Sequence, residues 1–210
     1  MAGKVDLKKQ HKAYFTAPQN AWELCDFPEF AYLMIDGKGM PGGGAYVAAL
    51  EKLYPAAFAT KFFSKLELGR DYVVPPLEGL WWADDMDAYT QAGRRDEWRW
   101  TMMLMLPEWI EPLHVHAALA LKAAKKPGLD FLDVRVDKLT EGLCLQTLHL
   151  GSFAEEAPKL AELHSRIIPE RGLAFREGRT GLHHEIYLSD PRRTPPEKLR
   201  TVLRQPVRRS

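Results

Sequence analysis

Cysteine is scarce in this chain: Cys25 and Cys144 are the only two among 210 residues. They form no CxxC pair and have no metal-ligand spacing, which excludes a disulfide scaffold or a zinc module and leaves reduced thiols in a cytoplasmic protein. Excess charge of one sign is also missing. The 29 lysines and arginines balance 28 aspartates and glutamates, for a net charge of +1. Nucleic acid binding needs a concentrated positive surface, so no nucleic acid partner is expected. No apolar run approaches the roughly 18–20 residues that span a bilayer, and no apolar stretch follows Lys4, Lys8, Lys9 and Lys12 as in a signal peptide. A membrane partner is therefore not expected. Absent too is the Gly-x-Ser-x-Gly elbow of serine hydrolases, and no Lys-Ser or Lys-Thr pair completes a phosphate loop after Gly37-Lys38-Gly39 or Gly42-Gly43-Gly44. His114 and His116 are too close to share a helical face, and His183 and His184 point to opposite faces of a strand, so neither metal nor cofactor is expected. The oligomeric state is left open.

What is present is an ordinary globular mix, 46% hydrophobic and 27% charged, with chain enough for a substantial core. Residues 1–27 read as an arm or short helix. Phe30–Ile35 is a strand by its β-branched and aromatic content. A helix over 45–65 carries Val47, Leu50, Leu53, Tyr54, Phe58, Phe62 and Leu66 at helical intervals, with Pro55 expected to kink or divide it. Strand patterns follow at 71–82, interrupted by Pro75-Pro76, and at Glu97–Leu106, with the acidic turn Asp84, Asp85 and Asp87 between them. The next helix, from Glu111 to Lys125, is expected to bury Leu113, Ala117, Ala120 and Leu121. The second half repeats the order: strands at 131–136 and 143–151, a helix over 155–168 with Leu160, Leu163, His164 and Ile167 inward, and a strand at 182–188. Beyond Pro195 the pattern reads as a helical turn and a solvated basic end.

Two strand-helix-strand-strand modules, about 28–128 and 129–210, are the expected organisation of a single ligand-binding domain. The fold class is α+β, a mostly antiparallel sheet with helices on one face, the modules in pseudo-twofold arrangement and a groove for ligand. Alternation in the last strand puts Leu182, His184, Ile186 and Leu188 on the core side and His183, Glu185 and Tyr187 on the other. That second face is either a solvated stripe or an acidic group in an aromatic setting, able to act as counter-ion or general base. Trp81, Trp82, Trp98, Trp100 and Trp109 crowd a short stretch of the six-tryptophan chain. Core packing is the ordinary use of tryptophan, but so many flat rings on neighbouring strands also suit a cleft for planar apolar ligands, with Met102 and Tyr32 as further walls.

Pro75-Pro76-Leu77-Glu78-Gly79-Leu80-Trp81-Trp82, together with His183-His184-Glu185-Ile186-Tyr187-Leu188-Ser189-Asp190-Pro191 and Thr194–Thr201, resembles the GyrI-like small-molecule-binding family over nearly the whole chain after residue 25. The resemblance implies a ligand held between two modules with a central glutamate, at Glu185. It also implies hydrophobic aromatic small molecules as partners. The family domain is often fused to a DNA-binding head, and no such segment fits before residue 30. A stand-alone subfamily sharing Gly-Leu-Trp-Trp includes members that hydrolyse cyclopropane-bearing DNA-alkylating natural products in an aromatic cage. The expected functions are sequestration of planar or cationic xenobiotics or, alternatively, hydrolysis with Glu185 activating water.

Overall fold

β-Branched and aromatic runs become strands and the longer periodic stretches become helices in the computed structural model, which describes residues 3–85 and 94–210. Asp87 of the acidic turn lies outside the described residues. The chain divides into two units. The first takes Met1–Lys12 and Phe30–Leu139, the second Ala13–Glu29 and Thr140–Ser210. After the short helix α1 (Leu7–Gln10), the strand β1 (Glu23–Lys38) carries the chain from the second unit into the first.

The first unit continues with α2 (Gly44–Glu67), β2 (Glu78–Trp82), β3 (Arg99–Met105) and α3 (Pro112–Lys125). β3 is central, antiparallel to β1 from Tyr32↔Met105 to Lys38↔Arg99 and to β2 from Glu78↔Met103 to Trp82↔Arg99. Directly paired residues share a face. One face therefore carries Leu33, Ile35, Gly37, Trp81, Trp100 and Met102; the other carries Tyr32, Asp36, Glu78, Leu80, Trp82 and Thr101. Pro112 opens α3, where Glu111 and His114 close a reciprocal capping box that satisfies two backbone donors.

The second unit begins on β4 (Arg135–Leu150), which leads into it from the first. Gly151, at φ 131°, turns the chain after β4; a Cβ there would stand 2.7 Å from Glu155 Oε2, which accepts from Ser152. The helix α4 (Ala157–Glu162) runs through a π-helical turn at Leu163–Ile167 into α5 (Ile168–Glu170). Three strands follow: β5 (Leu173–Phe175), β6 (His183–Tyr187) and β7 (Arg200–Arg209). β7 is central here, antiparallel to β4, β5 and β6. Trp22, Leu145, Leu163, Ile168, Leu173, Leu203 and Val207 form the unit's apolar core, with Leu160 and Ile167 packed against it.

The pairings β1–β3, β2–β3, β4–β7, β5–β7 and β6–β7 are all antiparallel, and Val5 and Tyr72 form an isolated parallel bridge. The fold is α+β and mostly antiparallel. Each unit repeats one register: Leu80 pairs with Thr101 in the first and Tyr187 with Thr201 in the second, with Glu78 and Glu185 two residues earlier.

Several expectations need correction. The basic end is no solvated tail: after a turn at Pro196–Lys198 it becomes β7, buried from Thr201 to Val207. Arg204, Gln205 and Pro206 break its apolar pattern, and Arg204 is buried because a carboxylate meets it inside. Pro55 does not divide α2, which is one helix of 24 residues; its missing N–H leaves the Glu51 carbonyl without that helical donor. The buried side of α2 is Ala49, Leu53, Ala56, Ala57, Thr60, Lys61 and Ser64, while Val47, Phe58, Phe62 and Leu66 are exposed. α3 likewise buries Val115, Ala118 and Leu119 and leaves Leu113 and Leu121 exposed. Small side chains let a helix pack closely, so here the face that fits prevails over the face with the largest residues.

Gly37 shows how tight that packing is. An added Cβ would lie 2.0 Å from the Trp100 ring, which covers the glycine from the paired position. Gly37→Val is expected to lower stability by about 1–3 kcal/mol, the range for overpacking a filled core. Urea denaturation followed by tryptophan fluorescence checks it.

Candidate functional site

The face that alternation assigns to His183, Glu185 and Tyr187 is built on β6 in the second unit. His184 and Ile186, pointing the other way, are fully buried and pin the strand, while the three intervening residues stay partly accessible. The Tyr187 hydroxyl donates to Glu185 Oε2 at 2.7 Å. His183 Nε2 lies 3.4 Å from Glu185 Oε1, close enough for an electrostatic contact, yet neither ring nitrogen makes a hydrogen bond. Glu185 therefore has one oxygen held by a phenol and the other beside an imidazole. Only 14% of its side chain is accessible.

Other side chains surround this group. Phe153 meets the Tyr187 ring edge-on at 5.8 Å. Glu156, at the start of α4, is 4% exposed, and its Oε1 has no hydrogen-bond partner. A side-chain hydrogen bond links Glu156 to Thr201, the β7 residue that pairs with Tyr187. Burial, reinforced by the charge of Glu185, pushes the Glu156 carboxyl far above the usual carboxylate range. His164 stands edge-on to Phe175 at 5.0 Å; burial and the nearby His183 push its pKa down to about 4, so it is neutral near pH 7. Glu185 on β6 and the buried Glu156 at the start of α4 are thus two carboxyl groups tied to the directly paired Tyr187 and Thr201.

Beneath β6 lies a second polar group, His184, Glu141 and Arg204, all of it buried. His184 Nδ1 is 2.8 Å from Glu141 Oε1, and Arg204 Nη1 donates to Glu141 Oε2 at 2.7 Å. Arg204 also donates to Gln146 Oε1 and the Tyr14 carbonyl and stacks 4.1 Å from the Tyr14 and Phe27 ring centres. Burial alone would raise the Glu141 pKa, but His184 and Arg204 hold it well below the usual carboxylate range. This ion group fixes the backbone from which Glu185 projects.

In the first unit the aromatic residues divide between the two faces. Tyr46, near the start of α2, stacks on Trp81 at 6.3 Å and meets Trp100 edge-on at 5.6 Å; Trp98 in turn meets Trp81 edge-on at 6.0 Å. Trp100 Nε1 donates to the Gly39 carbonyl. Trp81, Trp100 and Met102 are thus buried on the face that Tyr46 covers, whereas Tyr32, also buried, and the partly exposed Trp82 share the opposite face. Trp98 is partly exposed, with Arg95 over its ring. Trp109 stands apart: its Nε1 donates to Ser64 Oγ, Arg70 lies 3.9 Å over its ring, and Tyr72 meets its edge.

Sequence reasoning missed Glu156 and Phe153, and it turned His164 inward and included Thr201 in a motif without assigning either to the site. Ser152 and Glu155, spaced as a capping box, mark a helix start beside Glu156, but nothing local shows that it is buried. Among the described residues no group of three or more His, Cys, Asp or Glu could hold a metal ion, and no helix is long and apolar enough to cross a membrane.

Residues 21–208 match the model of the GyrI-like small molecule binding domain. Among solved structures, an uncharacterized conserved protein from Listeria innocua is 40% identical with a TM-score of 0.88, the match covering 98% of this chain and 100% of that one. A protein described as a hydrolase, also from Listeria innocua, is 38% identical at TM-score 0.84, with the same coverage. The C-terminal domain of EcmrR, only 8% identical, matches at TM-score 0.55 over 90% of this chain and 98% of its own, which is a likeness of fold. No curated protein matches.

Proposed function

This chain belongs to the GyrI-like small-molecule-binding family, and from that premise we propose that it binds bulky, planar, apolar small molecules in the cytoplasm and destroys reactive ones by adding water. The observation that carries the reading is Glu185. Its side chain is only 14% accessible, oriented by the Tyr187 hydroxyl and placed next to aromatic rings. Such a group can take a proton from a water molecule as that water attacks an electrophilic carbon. The preferred substrates are strained electrophiles, cyclopropanes conjugated to a carbonyl, of the DNA-alkylating type. Likeness at 38% identity to a Listeria innocua protein described as a hydrolase supports hydrolysis.

The test is turnover. Protein incubated with excess of a spirocyclopropyl dienone is expected to consume many equivalents and release the ring-opened water adduct. Loss that stops at one equivalent contradicts hydrolysis.

Sequestration is the second reading, favoured by the partly exposed Trp82 and Trp98 of the first unit. Planar polycyclic dyes, neutral and cationic, are expected to bind with Kd near a micromolar, about 8 kcal/mol, and to quench tryptophan fluorescence. Trp82→Phe and Trp98→Phe are each expected to remove part of the quenching. A titration without quenching in the unaltered protein removes the aromatic rings from the binding surface.

A further inference from the structure

α2 and α3 leave large apolar residues uncovered in a regular pattern. Val47, Phe58, Phe62 and Leu66 on α2, with Leu113 and Leu121 on α3, are 45–73% exposed, although each helix buries a different face. α2 therefore carries two apolar faces. Ala49, Leu53, Ala56 and Ala57 pack inward, while the outer face steps by three and four residues through Ala48, Glu51, Pro55, Phe58, Phe62 and Leu66. That spacing is the seam of a helix laid along another helix. α2 and α3 lie side by side: the Phe63 and His114 rings are 6.2 Å apart at one end, and Lys52 reaches Asp130 and Asp133, just beyond α3, at the other. Their outer residues adjoin.

We propose that this face binds a second copy of the chain, α2 packing antiparallel on α2 about a two-fold axis near Phe58. Charge selects that occupant. Glu51 and Lys65, both exposed, stand seven residues either side of Phe58. Reversing the helix about that point brings Glu51 of each copy to Lys65 of the other, once on either side of the axis. The same reversal sets Val47 toward Leu66 and gathers Phe58 and Phe62 of both copies at the centre, where ridges and grooves of the two helices meet. A parallel copy would set like charge beside like charge. Asp71, 3.7 Å from Lys65, is already held by Lys61 at 2.5 Å, so Lys65 is able to turn to a partner.

The extent of the face fits a dimer. Its large apolar residues expose on the order of 600 Å², at the top of what a soluble monomer leaves as one apolar patch. Ala48, Pro55, Glu51 and Lys65 around them bring it to about 800 Å² per copy, the size of a standard interface. An apolar middle with a charged rim is the anatomy such interfaces share. Because the pairing is isologous, it closes at two copies. It holds whether the protein hydrolyses its ligand or only retains it.

Sedimentation equilibrium of the full chain tests it. A mass near twice 23.9 kDa is expected at tens of micromolar. Phe62→Glu is expected to raise the dimer Kd about 30-fold or more, the effect of losing a central aromatic anchor. Phe62 is already half exposed within one chain, so the fold, followed by circular dichroism, is expected to survive. Glu51→Lys and Lys65→Glu are each expected to weaken the dimer about tenfold, because each sets like charges across the axis. An equimolar mixture of these two variants is expected to restore association as a mixed dimer, and so is the double variant, since both arrangements place opposite charges together again. Recovery on mixing is specific to pairing of this face with itself. A chain that stays monomeric at several hundred micromolar overturns the proposal. So does a dimer whose Kd changes less than twofold in Phe62→Glu, or a pair of charge variants that mixing does not rescue.

Discussion

Glu185→Gln is expected to cut turnover by about 10²–10⁴-fold while leaving the affinity for neutral substrates almost unchanged. The change keeps the side chain's size and an oxygen that can accept from the Tyr187 hydroxyl, so the 2.7 Å contact survives in form. What disappears is basicity. An amide cannot take the proton of an attacking water, and the loss corresponds to about 3–5 kcal/mol of transition-state stabilisation at 1.36 kcal/mol per tenfold. A different outcome distinguishes sequestration. If the carboxylate serves as a counter-ion, the variant weakens cationic ligands by about 1–3 kcal/mol, the worth of a hydrogen-bonded charge contact, and spares neutral ones. Tyr187→Phe is a milder change, because it frees one Glu185 oxygen without removing the base. Single-turnover and steady-state kinetics, with calorimetric titration of matched cationic and neutral ligands, measure both effects. A variant equal to wild type in all of them makes Glu185 a solvated strand residue.

The residues that could be placed from sequence were those whose environment is set by their own strand. β6 is short and alternates strictly, so period two alone assigned His184 and Ile186 to the core and exposed Glu185 between His183 and Tyr187. α2 defeated the same reasoning. Apolar residues cover most of its circumference, and periodicity offers no phase when Phe58 and Phe62 compete with Leu53 and a set of alanines. β7 was hidden for another reason. Arg204 in mid-strand looks like solvent-facing charge until it meets Glu141, 63 positions away. Glu156 belongs with Arg204: its burial is made by β6 and β7, which follow later in the chain. Charged residues inside a fold are the ones that local pattern misplaces, because the tertiary partner decides their position.

The buried ion group is the place where one substitution does most damage to stability. Arg204→Met is expected to destabilise the protein by about 3–5 kcal/mol, the cost of leaving one member of a buried pair uncompensated. Arg204 is completely buried and Glu141 is 2% exposed, so solvent cannot replace the lost guanidinium. Gln146 and the Tyr14 carbonyl lose their donor at the same time. Pairing it with Glu141→Leu removes the stranded charge and is expected to recover part of the loss, which makes the double-mutant cycle strongly non-additive. The pH dependence has a definite sign. Glu141 is held well below the usual carboxylate range in the folded state and returns to about 4.3 when unfolded. Its contribution is therefore complete above that unfolded value and is lost as pH falls through the depressed folded value. In Arg204→Met the carboxyl has lost a cation that held it down, so acidification costs the variant less. The stability gap between wild type and variant is expected to be widest near neutral pH and to narrow steadily below about pH 4. Urea denaturation at a series of pH values measures the gap. A gap that stays constant across the acid range, or a loss under 1 kcal/mol at neutral pH, shows that Glu141 and Arg204 are not coupled in the folded protein.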